Sequence, residues 1–152
     1  MYKAKLKEMG IELPEAAKPL AAYVPAVKVG NYVYTSGQIP LVAGKLAYTG
    51  KVGKEVTPEQ AYEAAKICAI NCLSAIEGVA GSVDNIEKIV KVVGFVNSAA
   101  GFAAQPKVIN GASEFLGEVF GDAGKHARSA VGVSELPIDA PVEVEVIAKL
   151  KD

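Results

Sequence analysis

The chain has 152 residues, enough for one domain with a real core, and is 51% hydrophobic and 22% charged, rich in Ala, Val and Gly and without Trp. That composition belongs to a globular protein and excludes a disordered one. Sixteen basic and seventeen acidic residues leave a formal net charge of −1, so no electrostatic footprint for a phosphate backbone exists and no nucleic-acid partner is expected.

The N-terminal MYKAKLKEMG carries charges with no apolar run after them and does not read as a signal peptide. Residues 1–20 read as an N-terminal extension, a short helical turn and then an extended linker through Pro14 and Pro19. Residues 21–152 read as a single domain without an internal repeat. Gly30-Asn31 separates two β-rich runs, Tyr23 to Val29 and Tyr32 to Thr35, which predicts a tight hairpin. Ser36-Gly37 ends the second strand, where Gly suits a positive φ, a ligand close to the backbone, or an ordinary turn. The stretch LVAGKLAYTGKVGKE is glycine-rich and reads as a surface hairpin or ordered loop. Its GKVGK lacks the spacing and the Ser/Thr of a phosphate-binding loop.

Thr57-Pro58-Glu59-Gln60 is a strong helix start, with Thr57 and Gln60 forming a capping box and Pro58 at the first helical position. Ala61, Ala65, Cys68, Cys72, Ala75 and Val79 then follow at four- and three-residue steps. This predicts one long helix whose small side chains lie close on a sheet, ending near Gly78 and Gly81. The two cysteines are on that face as small buried hydrophobes. With a single His and no clustered ligands, no metal site is expected. Asn71 and Glu77 break the longest apolar runs, so no membrane span or membrane partner is expected, and a cytoplasmic protein is the default.

Ile86 to Val96 reads as a strand buried on both faces, with Gly94 a candidate bulge. Pro106 opens a second helix with Val108, Ala112, Phe115, Leu116 and Val119 on its core face. Arg128 to Val133 is a strand, Leu136 to Pro141 a turn, and Val142 to Leu150 a strand. In that last strand Val142, Val144, Val146 and Ala148 face one way, and Glu143, Glu145 and Lys149 the other. The order β-β-α-β-α-β-β gives an α+β or mixed α/β layer with both helices on one sheet face. The opposite face, Gly- and Val-rich, is expected to be buried by self-association.

Of the sixteen cationic side chains only Arg128 is an Arg. A guanidinium binds a carboxylate or phosphate through two parallel hydrogen bonds, whereas Lys offers a point charge, so a lone Arg suggests a position Lys does not fill. The plainer alternative is a structural Arg closing an ion pair at a strand end.

Three stretches together, YVPAVKVGNYVYTSGQIP (23–40), KIVKVVGFVNSAAGF (88–102) and ARSAVGVSELPIDAPVEVEVIA (127–148), resemble the reactive-intermediate deaminase family. That family is also known as RidA or YjgF/YER057c/UK114 and often carries the label "endoribonuclease L-PSP". The resemblance spans about residues 20 to 150. It implies a chorismate-mutase-like α+β domain, a homotrimer with ligand clefts between subunits, and hydrolysis of enamines and imines derived from amino acids to 2-keto acids and ammonia. It implies further that Arg128 clamps the substrate carboxylate and that Glu143 orients or activates the attacking water. Tyr23 and Ser36 would line the pocket, Gly37 and Ala130 would offer backbone N–H groups, and Asn110 would join them. Glu143 has a competing reading as part of a solvated strand face, which Glu145 shares.

An iminium carbon is already electrophilic, so a fixed carboxylate and a positioned water suffice, and no metal, nucleophilic Ser or cofactor is required. The chain departs from the family pattern at three places. Ala130 stands where many members have Cys, and His126 replaces the Pro common before the Ala-Arg pair. The N-terminal extension and the glycine-rich insertion at 44–56 make the chain longer, and that insertion is a candidate rim of the pocket. Two other functions stay open on these residues: a non-catalytic binder of small carboxylates, which would use the same Arg, and a ribonuclease or translation inhibitor, which a near-neutral chain with one His fits least well.

Overall fold

The computed structural model describes residues 1–16 and 22–152. Pro19, and with it part of the expected linker, lies outside the described residues. Helix α1 (Tyr2–Glu8) is followed by the hairpin β1 (Ala26–Val29) and β2 (Tyr32–Thr35), then a small hairpin of β3 (Leu41–Val42) and β4 (Lys45–Leu46). Helix α2 (Pro58–Ala80), strand β5 (Ile86–Asn97), helix α3 (Gln105–Phe120), strand β6 (Ala127–Val133) and strand β7 (Val142–Leu150) complete the chain. The main sheet has five strands in the order β1-β2-β7-β5-β6, and only the β5–β6 pair is parallel, as the α3 crossover between them requires.

The helix start at Thr57 forms as its sequence predicts, with both capping-box bonds present: Gln60 N–H to Thr57 Oγ1 and Thr57 N–H to Gln60 Oε1. Helix α2 lies over β7, and the two thiols donate to its carbonyls, Cys68 to Val142 O at 3.6 Å and Cys72 to Val144 O at 3.3 Å. Ala61, Ala65, Cys68, Cys72 and Ala75 are buried, whereas Val79 at the end of the predicted stripe is exposed and Ile76 is buried instead. In β7 the burial alternates along the whole strand, with Val142, Val144, Val146, Ala148 and Leu150 in the core under the helices. Helix α1 joins the same core through Leu6 and packs Tyr2 against Phe120, ring centroids 4.5 Å apart and planes tilted by 56°.

Two glycines set the position of α3. Gly94 is not a bulge: its register with β6 and β7 is unbroken, and the irregularities of β5 fall between Ile86 and Lys88 and between Ile89 and Lys91. A Cβ on Gly94 would come 2.4 Å from Ile109 Cδ1, so the missing side chain lets α3 settle onto the sheet. Gly111 does the same toward α2, where a Cβ would come 2.0 Å from the Tyr62 carbonyl oxygen. Asn110 sits between these two close approaches.

The strand expected from Tyr23 begins only at Ala26. Residues 23–25 are held to the end of β2 by side-chain and backbone bonds instead of a ladder. The sheet face away from the helices exposes Val27, Val29, Tyr32, Tyr34 and Val131 in the single chain. Among the described residues no helix is long and apolar enough to cross a membrane.

Candidate functional site

Arg128 stands near the start of β6, the edge strand beyond β5, opposite Val92 in the parallel register. Val92 is buried under the helices. The Arg128 side chain accordingly reaches toward α3. Its Nη1 donates to Asn110 Oδ1 at 2.8 Å and to Ser113 Oγ at 3.2 Å, and its Nη2 donates to the Pro106 carbonyl at 3.4 Å. All three acceptors are neutral, and among the described residues no carboxylate pairs with this guanidinium. Nε and one hydrogen of Nη2 have no partner among the described residues, which leaves a two-donor edge free for a planar anion.

Asn110 and Ser113 are three residues apart and so share a face of α3. Ala130 lies two positions along β6 from Arg128, on the same face, and packs against the core margin. His126 completes this group. Its Nδ1 lies 2.6 Å from the Gly124 carbonyl and its Nε2 2.8 Å from Ser113 Oγ. Burial, aided by the Arg128 and Lys88 charges, lowers the imidazole below its ordinary value, against the opposing pull of the Gly124 carbonyl.

A second group forms at the other end of the sequence pattern. Ser36 Oγ donates to the Val24 carbonyl at 2.6 Å, and Ser36 N–H to the Pro25 carbonyl at 2.8 Å, which places exposed Tyr23 beside the end of β2. Gly37 follows with an ordinary φ, so it is neither a positive-φ position nor a simple turn. It makes room for Glu143: a Cβ on Gly37 would come 2.8 Å from Glu143 Cδ. Backbone bonds between Gln38 and Val144, at 2.8 and 3.0 Å, hold the two segments together. Burial, and then repulsion from Glu145, raises the Glu143 carboxyl above its ordinary value.

The seven residues expected in one site therefore fall into two groups. Arg128, Asn110 and Ala130 lie on the helix side of the sheet edge. Tyr23, Ser36, Gly37 and Glu143 lie together, with Glu143 on the opposite face, since its neighbours Val142 and Val144 point into the core. Strand β5 also stands between β6 and β7. No single chain brings Arg128 and Glu143 to one ligand.

The glycine-rich stretch forms a small hairpin followed by a tied-down loop, as its sequence predicts. Lys51 Nζ bonds Asn97 Oδ1 at 2.9 Å and the Ser134 carbonyl, and pairs with Glu135 at 3.3 Å. Gly50 N–H donates to the Asp139 carbonyl at 2.8 Å, and buried Asn97 donates to Asp139 Oδ1 at 3.1 Å. These bonds pin the insertion to the turn before β7. Sequence reading missed Lys51, Asn97 and Ser113; for Ser113, its spacing from Asn110 on one helix was the available signal. Cavities of about 490 Å³, between residues 10–16, α2 and the β3–β4 hairpin, and of about 540 Å³, between α1 and Glu77, contain none of the seven residues. Among the described residues no cluster of His, Cys, Asp and Glu suits a metal ion.

The strand order and the two crossover helices define a mixed α+β domain, with Arg128 held at its sheet edge by three neutral acceptors. The chain belongs to the YjgF/chorismate mutase-like endoribonuclease family, whose model matches residues 3–150. The protein TCP17 of Trypanosoma cruzi is 39% identical over 98% of this chain and 94% of its own. The 2-iminobutanoate/2-iminopropanoate deaminase of Dermatophagoides farinae is 34% identical over 93% of this chain and 95% of its own. The crystal structure of Atu1372 from Agrobacterium tumefaciens superposes with a TM-score of 0.91 at 42% identity, covering 99% of this chain and 92% of that one.

Proposed function

We propose that the protein hydrolyses small enamines and imines of 2-amino acids, of the 2-aminoacrylate and 2-iminopropanoate type, to 2-keto acids and ammonia. The observation that carries this reading is the Arg128 guanidinium. It is held by Asn110, Ser113 and the Pro106 carbonyl, and among the described residues no acid pairs with it and two donors on one edge have no partner. A substrate carboxylate on that edge fixes the adjacent C=N carbon. Water adds to this carbon while Glu143 takes its proton. With the imine protonated on nitrogen, this gives the neutral carbinolamine, to whose nitrogen Glu143 returns the proton; the C–N bond then breaks, ammonia leaves, and the hydroxyl gives its proton to the Glu143 carboxylate as the carbonyl forms. Burial and the Glu145 charge hold the Glu143 carboxyl above its ordinary value, which makes its carboxylate a stronger base toward that water. Holding the reactants together supplies at most ~7–11 kcal/mol of such a barrier.

Because Arg128 and Glu143 lie on opposite faces of one sheet, the reaction requires a cleft made by two subunits. The exposed face with Val27, Val29, Tyr32, Tyr34 and Val131 is the surface that assembly, a homotrimer by family resemblance, would cover. The test generates 2-aminoacrylate in situ and follows pyruvate and ammonia. Arg128→Ala and Glu143→Gln should each lose at least about a hundredfold in rate, in line with loss of an anchor or an acid–base group. Equal rates for wild type and Arg128→Ala would reject the proposal. Stabilisation by 2-ketobutyrate without any turnover would instead identify a carboxylate-binding module.

A further inference from the structure

His126 and Ser113 belong to no step of the proposed reaction, yet they share atoms with its anchor. The Gly124 carbonyl at 2.6 Å only accepts, so His126 Nδ1 carries the ring proton. In the neutral imidazole Nε2 is then an acceptor, and Ser113 Oγ, 2.8 Å away, gives it the hydroxyl proton. The lone pairs of Oγ are left facing Arg128 Nη1 at 3.2 Å. The chain Arg128 to Ser113 to His126 to Gly124 thus has one consistent polarity. Protonating the ring at Nε2 reverses the Ser113 bond and places a second positive charge within about 6 Å of the guanidinium, two hydrogen bonds away.

We propose that Ser113 and His126 aim the Arg128 guanidinium and make its hold on a carboxylate strengthen when the imidazole takes up a proton. This rests on Arg128 being a carboxylate anchor. The other charges facing the ring are cationic, Arg128 on β6 and Lys88 on β5. The α3 groups beside it, Ser113 and Asn110, are uncharged, the turn offers the Gly124 carbonyl, and Asp122 is engaged by Lys125 at 2.9 Å. The empty site therefore repels a proton from His126, and an anion bound at Arg128 removes part of that repulsion. Linkage makes the effect reciprocal: whatever the anion adds to proton affinity, the proton adds to anion affinity. A 2-keto acid stays ionised across this range, so the response belongs to the protein.

The chain has a single His, so one imidazole pattern in long-range ¹H–¹⁵N spectra reports on it without assignment. The tautomer with the proton on Nδ1 should dominate at pH 8, and saturating 2-ketobutyrate should move the ring's titration midpoint upward. Calorimetry with 2-ketobutyrate should show binding about three- to tenfold tighter at pH 5.5 than at pH 8, the scale of one screened charge at this separation. In the Glu143→Gln background, where the cleft carboxyl no longer titrates, His126→Gln should bind equally at both pH values. Ser113→Ala should bind more weakly at both, and Arg128→Ala should not bind. A dominant Nε2–H tautomer, a midpoint that ligand leaves unmoved, pH-independent wild-type binding, or an undiminished pH response in His126→Gln would each overturn the proposal. Wild type that binds no 2-ketobutyrate at any pH would instead remove the carboxylate reading itself, and this proposal with it.

Discussion

Helix α3 contains two glycines that substitution by Ala should affect in opposite directions. At Gly111 the added Cβ would stand 2.0 Å from the Tyr62 carbonyl oxygen and 2.8 Å from its carbon. Relief to ordinary contact requires α3 to retreat from α2 by roughly 1 Å or more. That movement lifts Ile109 from Gly94 and stretches the 2.8 Å bond from Arg128 to Asn110, so packing and anchor suffer together. Overpacking of this kind costs about 1–3 kcal/mol, only partly offset by the ~0.5–1 kcal/mol gained from replacing a helical Gly. At Gly117, one helical stretch further on, a Cβ meets nothing within 4 Å. Gly117→Ala should therefore gain that ~0.5–1 kcal/mol without loss. For a chain of this size the two changes amount to a fall of a few degrees in Tm for Gly111→Ala and a rise of about 1–4 °C for Gly117→Ala. Thermal denaturation at pH 7, with 2-ketobutyrate affinity measured alongside, checks both. Gly111→Ala as stable as wild type, with unchanged affinity, would refute the account of how α3 is placed.

The titrating groups carry three further outcomes. The Glu143 carboxyl is held above its ordinary value by burial and by Glu145, so the folded chain binds its proton more tightly than the unfolded chain does. The stability this gives is present at low pH and lost as pH rises through the folded value. Glu143→Gln should consequently be more stable than wild type at pH 7 though catalytically impaired, and Glu145→Gln should shift the acidic limb of the pH–rate profile to lower pH. A limb that Glu145→Gln leaves in place would contradict the stated cause. Burial pushes Cys72 up to about 12 and raises Cys68 as well, so neither thiol is a thiolate at pH 8. A disulfide reagent should titrate no thiol in the native protein and two in denaturant; rapid native reaction would mean the α2–β7 contact opens readily.

Much of the fold was legible because local chemistry and tertiary packing agree. The Thr57–Gln60 capping box, the Gly30-Asn31 hairpin and the alternation of Val142 to Leu150 each form where the residues place them. The candidate bulge at Gly94 was misread, and the room Gly37 makes for Glu143 was invisible, for one physical reason: another element's side chain, Ile109 or Glu143, occupies the space, and a one-dimensional pattern holds no trace of that neighbour. Tyr23 and Val24 have β-forming side chains, but Pro25 has no N–H for a ladder, Ser36 takes the Val24 and Pro25 carbonyls, and the ladder starts at Ala26. The division of the site was illegible for a similar reason. Alternation shows that Glu143 and Val142 face opposite ways, but only the strand order and the α3 crossover show that Arg128 faces with Val142.

Mixing two impaired variants tests the two-subunit cleft directly. Arg128→Ala spoils one group and leaves Glu143 intact, and Glu143→Gln does the reverse. Refolded together in equal amounts, they should form hybrid assemblies with about a quarter of wild-type deaminase activity, because one cleft in four would draw an intact group from each neighbour. The variant carrying both substitutions in one chain should stay inactive when mixed with itself. Hybrids no more active than either parent would show that the catalytic groups do not meet across a subunit boundary.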